Sequence, residues 1–297
     1  MTITSSTSEA SEASEASEAS EASEASEAPA GAPVRLRAEA VRLAYGDRVV
    51  VDGLDLDVFG GTISAVIGPN GCGKSTLLRA LGRLMKIRGG HVLLDGERID
   101  RMPTRQVATV LGVLPQAPVA PEGLSVADLV ARGRHPHQAW YRQWSSDDEA
   151  VVAEALRWTG VLDLADRPVD ELSGGQRQRV WISMALAQGT DLLLLDEPTT
   201  FLDLAHQVDV LDLVGRLHAE TGRTVVMVLH DLNLAARYAQ RLVAMKDGAI
   251  AAQGDPADVL TEDLLAEVFE LEARVVTDPV TGTPMVVPIG RRRRDEG

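Results

Sequence analysis

Gly68-Pro69-Asn70-Gly71-Cys72-Gly73-Lys74-Ser75-Thr76 stands between an apolar run, Ile63 to Ile67, and a helical pattern, Ser75 to Leu84. The glycines let backbone N–H groups turn inward, and the helix that follows adds partial positive charge at its first turn. Such a loop cradles phosphates. Lys74 is placed to reach the terminal phosphates of a nucleotide, and Ser75 offers a hydroxyl to Mg²⁺. A buried strand, a glycine loop and a helix in that order also form one unit of a parallel sheet.

Outward from this loop the same alternation continues. Leu192 to Leu195 and Val225 to Leu229 read as further buried strands, and Asp203 to Leu217 as a helix. Leu54 to Val58 alternates apolar residues with Asp, as a half-exposed strand does. The stretch from Pro118 to Glu171 carries helical periodicity and no clear strand. Within it Ser146-Asp147-Asp148-Glu149 opens a helix with a cap residue and an acidic first turn. The pattern predicts a doubly wound α/β domain with a helical insert.

Two further stretches carry chemistry. Leu192-Leu193-Leu194-Leu195-Asp196-Glu197 delivers Asp196 to the C-terminal edge of a central strand, where a carboxylate can hold Mg²⁺ through water. Glu197 is next along, placed to polarise an attacking water as general base. In Leu172-Ser173-Gly174-Gly175-Gln176-Arg177-Gln178-Arg179, Ser173 is a natural helix cap and the two glycines expose N–H groups at a helix start. The chain therefore has two phosphate-binding helix ends but one phosphate loop.

At this point the sequence resembles the ABC ATPase family, over roughly Val34 to Phe269. The resemblance implies a P-loop NTPase of ABC ATPase type: a mainly parallel core sheet, an antiparallel β subdomain and the helical insert. It implies ATP and Mg²⁺ as cofactors, with Gly68 to Thr76 binding the nucleotide. The Ser173-Gly174-Gly175-Gln176 signature of one copy closes over ATP held by another, in a head-to-tail dimer. Tyr45 matches the aromatic that stacks on adenine; alone it reads as an ordinary strand tyrosine. Gln116 matches the Q-loop, which touches Mg²⁺ or water and answers to the membrane subunit. His230 matches the switch histidine at the γ-phosphate, and Asp203 the D-loop at the dimer interface. The catalytic set is thus Lys74, Gln116, Glu197 and His230, and the metal set Ser75, Gln116 and Asp196.

Domain limits follow: 1–33 a Ser-Glu-Ala repeat tail read as disordered, 34–270 the ATPase domain with a helical subdomain at about 117–180, and 271–297 a C-terminal extension. The repeat offers nothing larger than Ala to bury. Arg291 to Arg294 read as a solvated basic end, with a lipid-headgroup contact as the alternative. The formal net charge is -15, and an acidic chain is a poor partner for nucleic acid. One cysteine, Cys72, excludes an internal disulfide and fits a reducing compartment. Beneath a helix N-terminus its thiol pKa is expected to fall. No apolar run approaches the roughly 20 residues that span a bilayer. The expectation is a cytosolic chain held at the inner side of the membrane by separate permease subunits.

Cargo is legible only by likeness. Val130-Ala131-Arg132-Gly133-Arg134-His135-Pro136, Thr199 to Gln207 and Asp278 to Pro284 resemble the iron–siderophore importer branch. That branch implies an extracytoplasmic substrate-binding protein as an indirect partner; cobalamin and haem importers use similar motors. Non-transport members acting on DNA or ribosomes carry a long coiled-coil insertion or two cassettes, and neither is present here. Among the tryptophans, Trp158 and Trp181 are expected in the core; Trp140-Tyr141-Arg142-Gln143-Trp144 reads as a loop, and contact with the membrane subunit is what the resemblance implies for this region.

Overall fold

The computed structural model describes residues 31–138 and 144–291. The Ser-Glu-Ala repeat, Trp140 to Gln143 and Arg292 to Arg294 lie outside the described residues. The described strands are β1 (Val34–Tyr45), β2 (Arg48–Phe59), β3 (Ile63–Ile67), β4 (Gly89–Leu94), β5 (Glu97–Arg98), β6 (Leu111–Leu114), β7 (Leu192–Leu195), β8 (Thr224–Val228), β9 (Arg241–Lys246), β10 (Ala249–Gly254), β11 (Leu271–Thr277) and β12 (Pro284–Arg291).

The central sheet has the order β10-β9-β3-β8-β7-β6. β9, β3, β8, β7 and β6 run parallel, and β10 pairs antiparallel at one edge. Every residue of β3, β7 and β8 is buried, as expected of strands covered on both faces. The alternation of side chains divides two cores. Ile63, Ala65, Ile67, Leu193, Leu195, Val225 and Met227 face the helical insert and the helices Leu204–Thr221 and Leu232–Tyr238. Val66, Leu192, Leu194, Val226 and Val228 face the helix Lys74–Leu81 and the antiparallel sheet β2-β1-β4-β5.

The helical insert contains Val126–Ala131, Ser146–Thr159 and Gly174–Ala187, packed on one another through Val130, Leu156 and Trp181 among others. The cap of the second helix is Ser145, not Ser146. Ser145 Oγ accepts the Asp148 N–H at 3.3 Å, and Asp148 Oδ2 accepts the Ser145 N–H at 3.2 Å. Either serine has a carboxylate three residues on, Asp148 or Glu149, and the box that forms is the Ser145–Asp148 one. The helix after the phosphate loop stops at Leu81, where the backbone leaves helical geometry: Gly82 is the C-cap and Arg83 takes φ +58. Asp203 caps the helix Leu204–Thr221 rather than starting it, and that helix runs on to Gly222 in the left-handed region.

Residues 271–291 form a hairpin whose Ala273 and Val286 join the first core. Asn233 grips it, with Oδ1 accepting the Val286 N–H at 2.7 Å and Nδ2 donating to the Val286 carbonyl at 3.2 Å. Arg291 ends β12, paired with Glu270 at 2.9 Å. Among the described residues no helix is long and apolar enough to cross a membrane.

Candidate functional site

The C-terminal edges of β3, β6, β7 and β8 lie side by side in one sheet. The glycine loop leaves β3, Gln116 stands two residues past β6, Asp196 and Glu197 follow β7, and His230 stands two residues past β8. This is the edge at which parallel α/β sheets present their ligands.

Gly68 has φ +150, and a Cβ there would collide with the Met245 carbonyl oxygen and approach Cys72 Sγ within 2.9 Å. Gly73, at φ +109, caps the helix Lys74–Leu81. Its first turn contains no acidic residue to quench the helix dipole. Lys74 is buried, and its Nζ donates to the carbonyls of Gly68 at 2.8 Å and Pro69 at 3.0 Å. The ammonium is thus held over the loop by acceptors that phosphate oxygens can replace.

Asp196 is only 2% exposed, and neither carboxylate oxygen accepts a well-formed hydrogen bond, the Ser75 hydroxyl and Arg79 being near but not bonded in good geometry. Burial pushes its pKa up; the Ser75 hydroxyl, the Arg79 guanidinium (Nε 3.7 Å from Oδ2) and Lys74 pull it the other way. A buried, under-satisfied carboxylate beside a hydroxyl is an oxygen donor set of the kind Mg²⁺ takes.

Glu197 is the hub of the remaining polar groups. Its Oε2 accepts from Gln116 Nε2 at 2.5 Å and from Thr200 Oγ1 at 2.8 Å, and its Oε1 lies 2.8 Å from His230 Nε2. The backbone at Glu197 takes φ +53, a conformation uncommon for a non-glycine residue, with the side chain 9% exposed. A cavity of about 430 Å³ opens over this cluster, lined by Tyr45, Asn70, Lys74, Ser75, Glu197 and His230 among others. Tyr45 ends β1 at the rim, half exposed. Arg48, just across the β1–β2 turn, also lines it.

The signature lies elsewhere. Ser173 caps the helix Gly174–Ala187 through a full capping box with Gln176: Ser173 Oγ accepts the Gln176 N–H at 3.3 Å, and Gln176 Oε1 accepts the Ser173 N–H at 3.1 Å. Neither these residues nor Asp203 line the phosphate-loop cavity, and Ser173, Gly174 and Asp203 are exposed. Within one chain the start of the helix Gly174–Ala187 therefore does not line the phosphate-loop cavity.

Cys72 departs from expectation. It is buried, and burial pushes the thiol pKa up by more than the Lys74 charge and N–H bring it down. Desolvation outweighs the helix end. Thr200 and Arg79 are further partners of the two carboxylates, beyond those the sequence motifs name. The Glu197-x-x-Thr200 spacing of a one-turn loop, with the Thr200 N–H donating to the Glu197 carbonyl at 3.2 Å, is the signal for the first. For Arg79 the signal is its place one helical turn after Ser75.

The family model described as ABC transporter matches residues 51–200. The petrobactin import ATP-binding protein FpuD of Bacillus anthracis is 52% identical over 259 residues, covering 87% of this chain and 95% of its own length. The ferric enterobactin transport ATP-binding protein FepC of Escherichia coli (strain K12) is 50% identical over 257 residues, covering 86% of this chain and 95% of its own. Among solved structures, the dimeric post-hydrolysis state of the ATP-binding cassette MJ0796, bound to ADP and Pi, superposes with a TM-score of 0.66 at 26% identity. That match covers 74% of this chain and 98% of the cassette. With the loop, the carboxylate pair and the signature all in place, the chain belongs to the ABC transporter family, as one of its ATP-hydrolysing subunits.

Proposed function

We propose that the chain is the motor of an importer for ferric siderophores, with two copies enclosing ATP head to tail beneath separate membrane permease subunits. The carrying observation is the division of the site: loop, Glu197 and His230 around one cavity with Asp196 buried beside Glu197, and the Ser173–Gln176 helix start outside it. ATP binds with Tyr45 against the base and the Gly68–Thr76 loop around the phosphates. Ser75, Gln116 and Asp196 would hold Mg²⁺, which when bound supplies charge neutralisation at the β- and γ-phosphates. Glu197 takes the proton of the attacking water as its oxygen bonds the γ-phosphorus, and the P–O bond to ADP breaks with its electron pair. Gln116 and Thr200 fix the carboxylate, and His230 is positioned for the γ-phosphate. Asp203 and the signature come from the second copy. Domain limits are proposed as 34–270 for the motor, with the helical part at about 117–180 contacting the permease.

The motor never touches the cargo, so the ferric-siderophore assignment draws its support from relatives named for petrobactin and ferric enterobactin import. The test is uptake of labelled ferric siderophore by iron-starved cells whose copy carries Lys74→Ala, which is expected to abolish ATP hydrolysis. Lost uptake with cobalamin and haem uptake intact is the expected result. Normal siderophore uptake with loss of cobalamin or haem uptake would reassign the cargo.

A further inference from the structure

The start of the helix Gly174–Ala187 and the start of the helix Leu204–Thr221 meet at one side chain. A Cβ at Gly175 would lie 2.5 Å from His206 Cδ2, 3.1 Å from Cγ and 3.2 Å from Nε2. The imidazole ring therefore rests directly on the Gly175 backbone. The ring is also fixed: Asp203 Oδ1 lies 2.7 Å from Nδ1 and accepts the His206 N–H at 2.9 Å. That bond places the proton on Nδ1 and sets the ring's orientation. Leu202 stands 3.7 Å from where a Gly174 Cβ would be, and its carbonyl accepts from Gln207 Nε2 at 2.9 Å. Farther along, Arg179 pairs with Asp209 at 2.6 Å, tying the same two helices again.

We propose that His206 is a positioning residue for the half of the ATP site that each copy lends to the other. It holds the Ser173–Gln176 turn and the Asp203 loop as one body. The proposal rests on the dimer reading above. Its physical basis is that a helix start serves an anion only when its N–H groups are aimed, and aiming needs rigid support to about 0.5 Å. Here the support is a planar ring, locked by its own loop, lying on a glycine with no side chain to keep it away. His206 acts without touching nucleotide: it lines no part of the phosphate-loop cavity.

The test uses His206→Ala, His206→Phe and His206→Asn, each in a Glu197→Gln background. Phe keeps the ring without the bond to Asp203; Asn keeps a donor near the Nδ1 position without the ring. Two measurements are made: amide hydrogen exchange of residues 174–178 without nucleotide, and the ATP concentration that drives dimerisation. His206→Ala is expected to speed exchange at those amides and to weaken ATP-driven dimerisation about ten-fold. Binding of a fluorescent ATP analogue to the monomer should stay unchanged, and Phe and Asn should each recover part of the loss. Unchanged exchange with an unchanged dimerisation midpoint overturns the proposal. If the Glu197→Gln parent itself stays monomeric with ATP, the dimer reading fails, and the exchange data still decide whether His206 braces the turn.

Discussion

Replacing Glu197 by Gln removes a proton acceptor while leaving shape and contacts nearly intact. Three donors or ring nitrogens now converge on the carboxylate: Gln116 Nε2 at 2.5 Å, Thr200 Oγ1 at 2.8 Å and His230 Nε2 at 2.8 Å. If the new amide oxygen takes the place of Oε2, it still accepts from Gln116 and Thr200. The amide NH₂ then faces His230, whose Nε2 accepts in the tautomer protonated at Nδ1. All three contacts survive in neutral form, so the fold should lose no more than about 1 kcal/mol. For a chain of this size that is a Tm shift of roughly 2–4 °C. Catalysis is different. A positioned general base contributes about 10²- to 10⁴-fold, or roughly 3–5 kcal/mol of transition-state free energy. Phosphate release should therefore fall by at least about a hundred-fold, while size-exclusion chromatography with ATP shows a dimer accumulating. Two outcomes would refute this reasoning: phosphate release within about ten-fold of wild type, or a monomer at saturating ATP.

Two further predictions concern titrating groups. Because burial holds the Cys72 thiol pKa above its ordinary value, alkylation of the nucleotide-free protein should be slow at neutral pH. It should keep accelerating beyond the usual thiol range; a rate that levels off below pH 8 would contradict it. Asp148 is held below the usual carboxylate range, chiefly by its hydrogen bond with Arg134 (Arg134 Nε to Oδ1 2.8 Å). Its contribution to stability is complete above the unfolded carboxylate value near 4 and is lost as pH falls through the lower folded value. Asp148→Ala should cost on the order of 2–3 kcal/mol in urea unfolding at pH 7, leaving the mostly buried Arg134 without its carboxylate. The gap between wild type and variant should narrow at pH 3, and an equal gap at both pH values would count against the pair.

What the sequence made legible is whatever a few consecutive residues decide. The loop from Gly68 to Thr76, the apolar runs that became β3 and β7, and the Ser173 cap all lie within one local pattern. The strand expected at Val225 to Leu229 shifted by one residue, to Thr224–Val228, although the Leu229 N–H still donates to Val66 at 3.2 Å. β1 was not recognised, for a visible reason. Leu36 and Ala38 alternate inward, but Ala40 takes φ +46 and donates its N–H to Asp55 Oδ1 at 2.8 Å. The register slips there, and the inward face resumes at Val41 and Leu43 instead of Ala40 and Arg42. Contacts between distant segments were out of reach altogether. Thr200 on Glu197 could be guessed from spacing, but His206 on Gly175 follows from how two helices cross. The burial of Cys72 likewise depends on β9, which brings the Met245 carbonyl against the loop.

The division of the site also explains why ATP can wait in it. On the proposed reading the base, the metal carboxylate and the phosphate loop are together in a single copy, so binding needs no partner. On the same reading, charge developing on the γ-phosphate in the transition state also draws on donors from the second copy. An exposed helix start is worth only about 0.3–1 kcal/mol to an anion in water. The same N–H groups gain several-fold once a closed interface excludes solvent and lowers the effective dielectric. On the proposed reading, hydrolysis is therefore conditional on closure. Whatever resists closure, such as a permease in the wrong state, slows the chemistry through the same contacts that closure would make. A subunit with all its donors in one cavity would hydrolyse ATP without regard to its neighbours. On this reading, keeping Ser173 and Asp203 out of the cavity that Lys74 and Glu197 line is what ties turnover to movement.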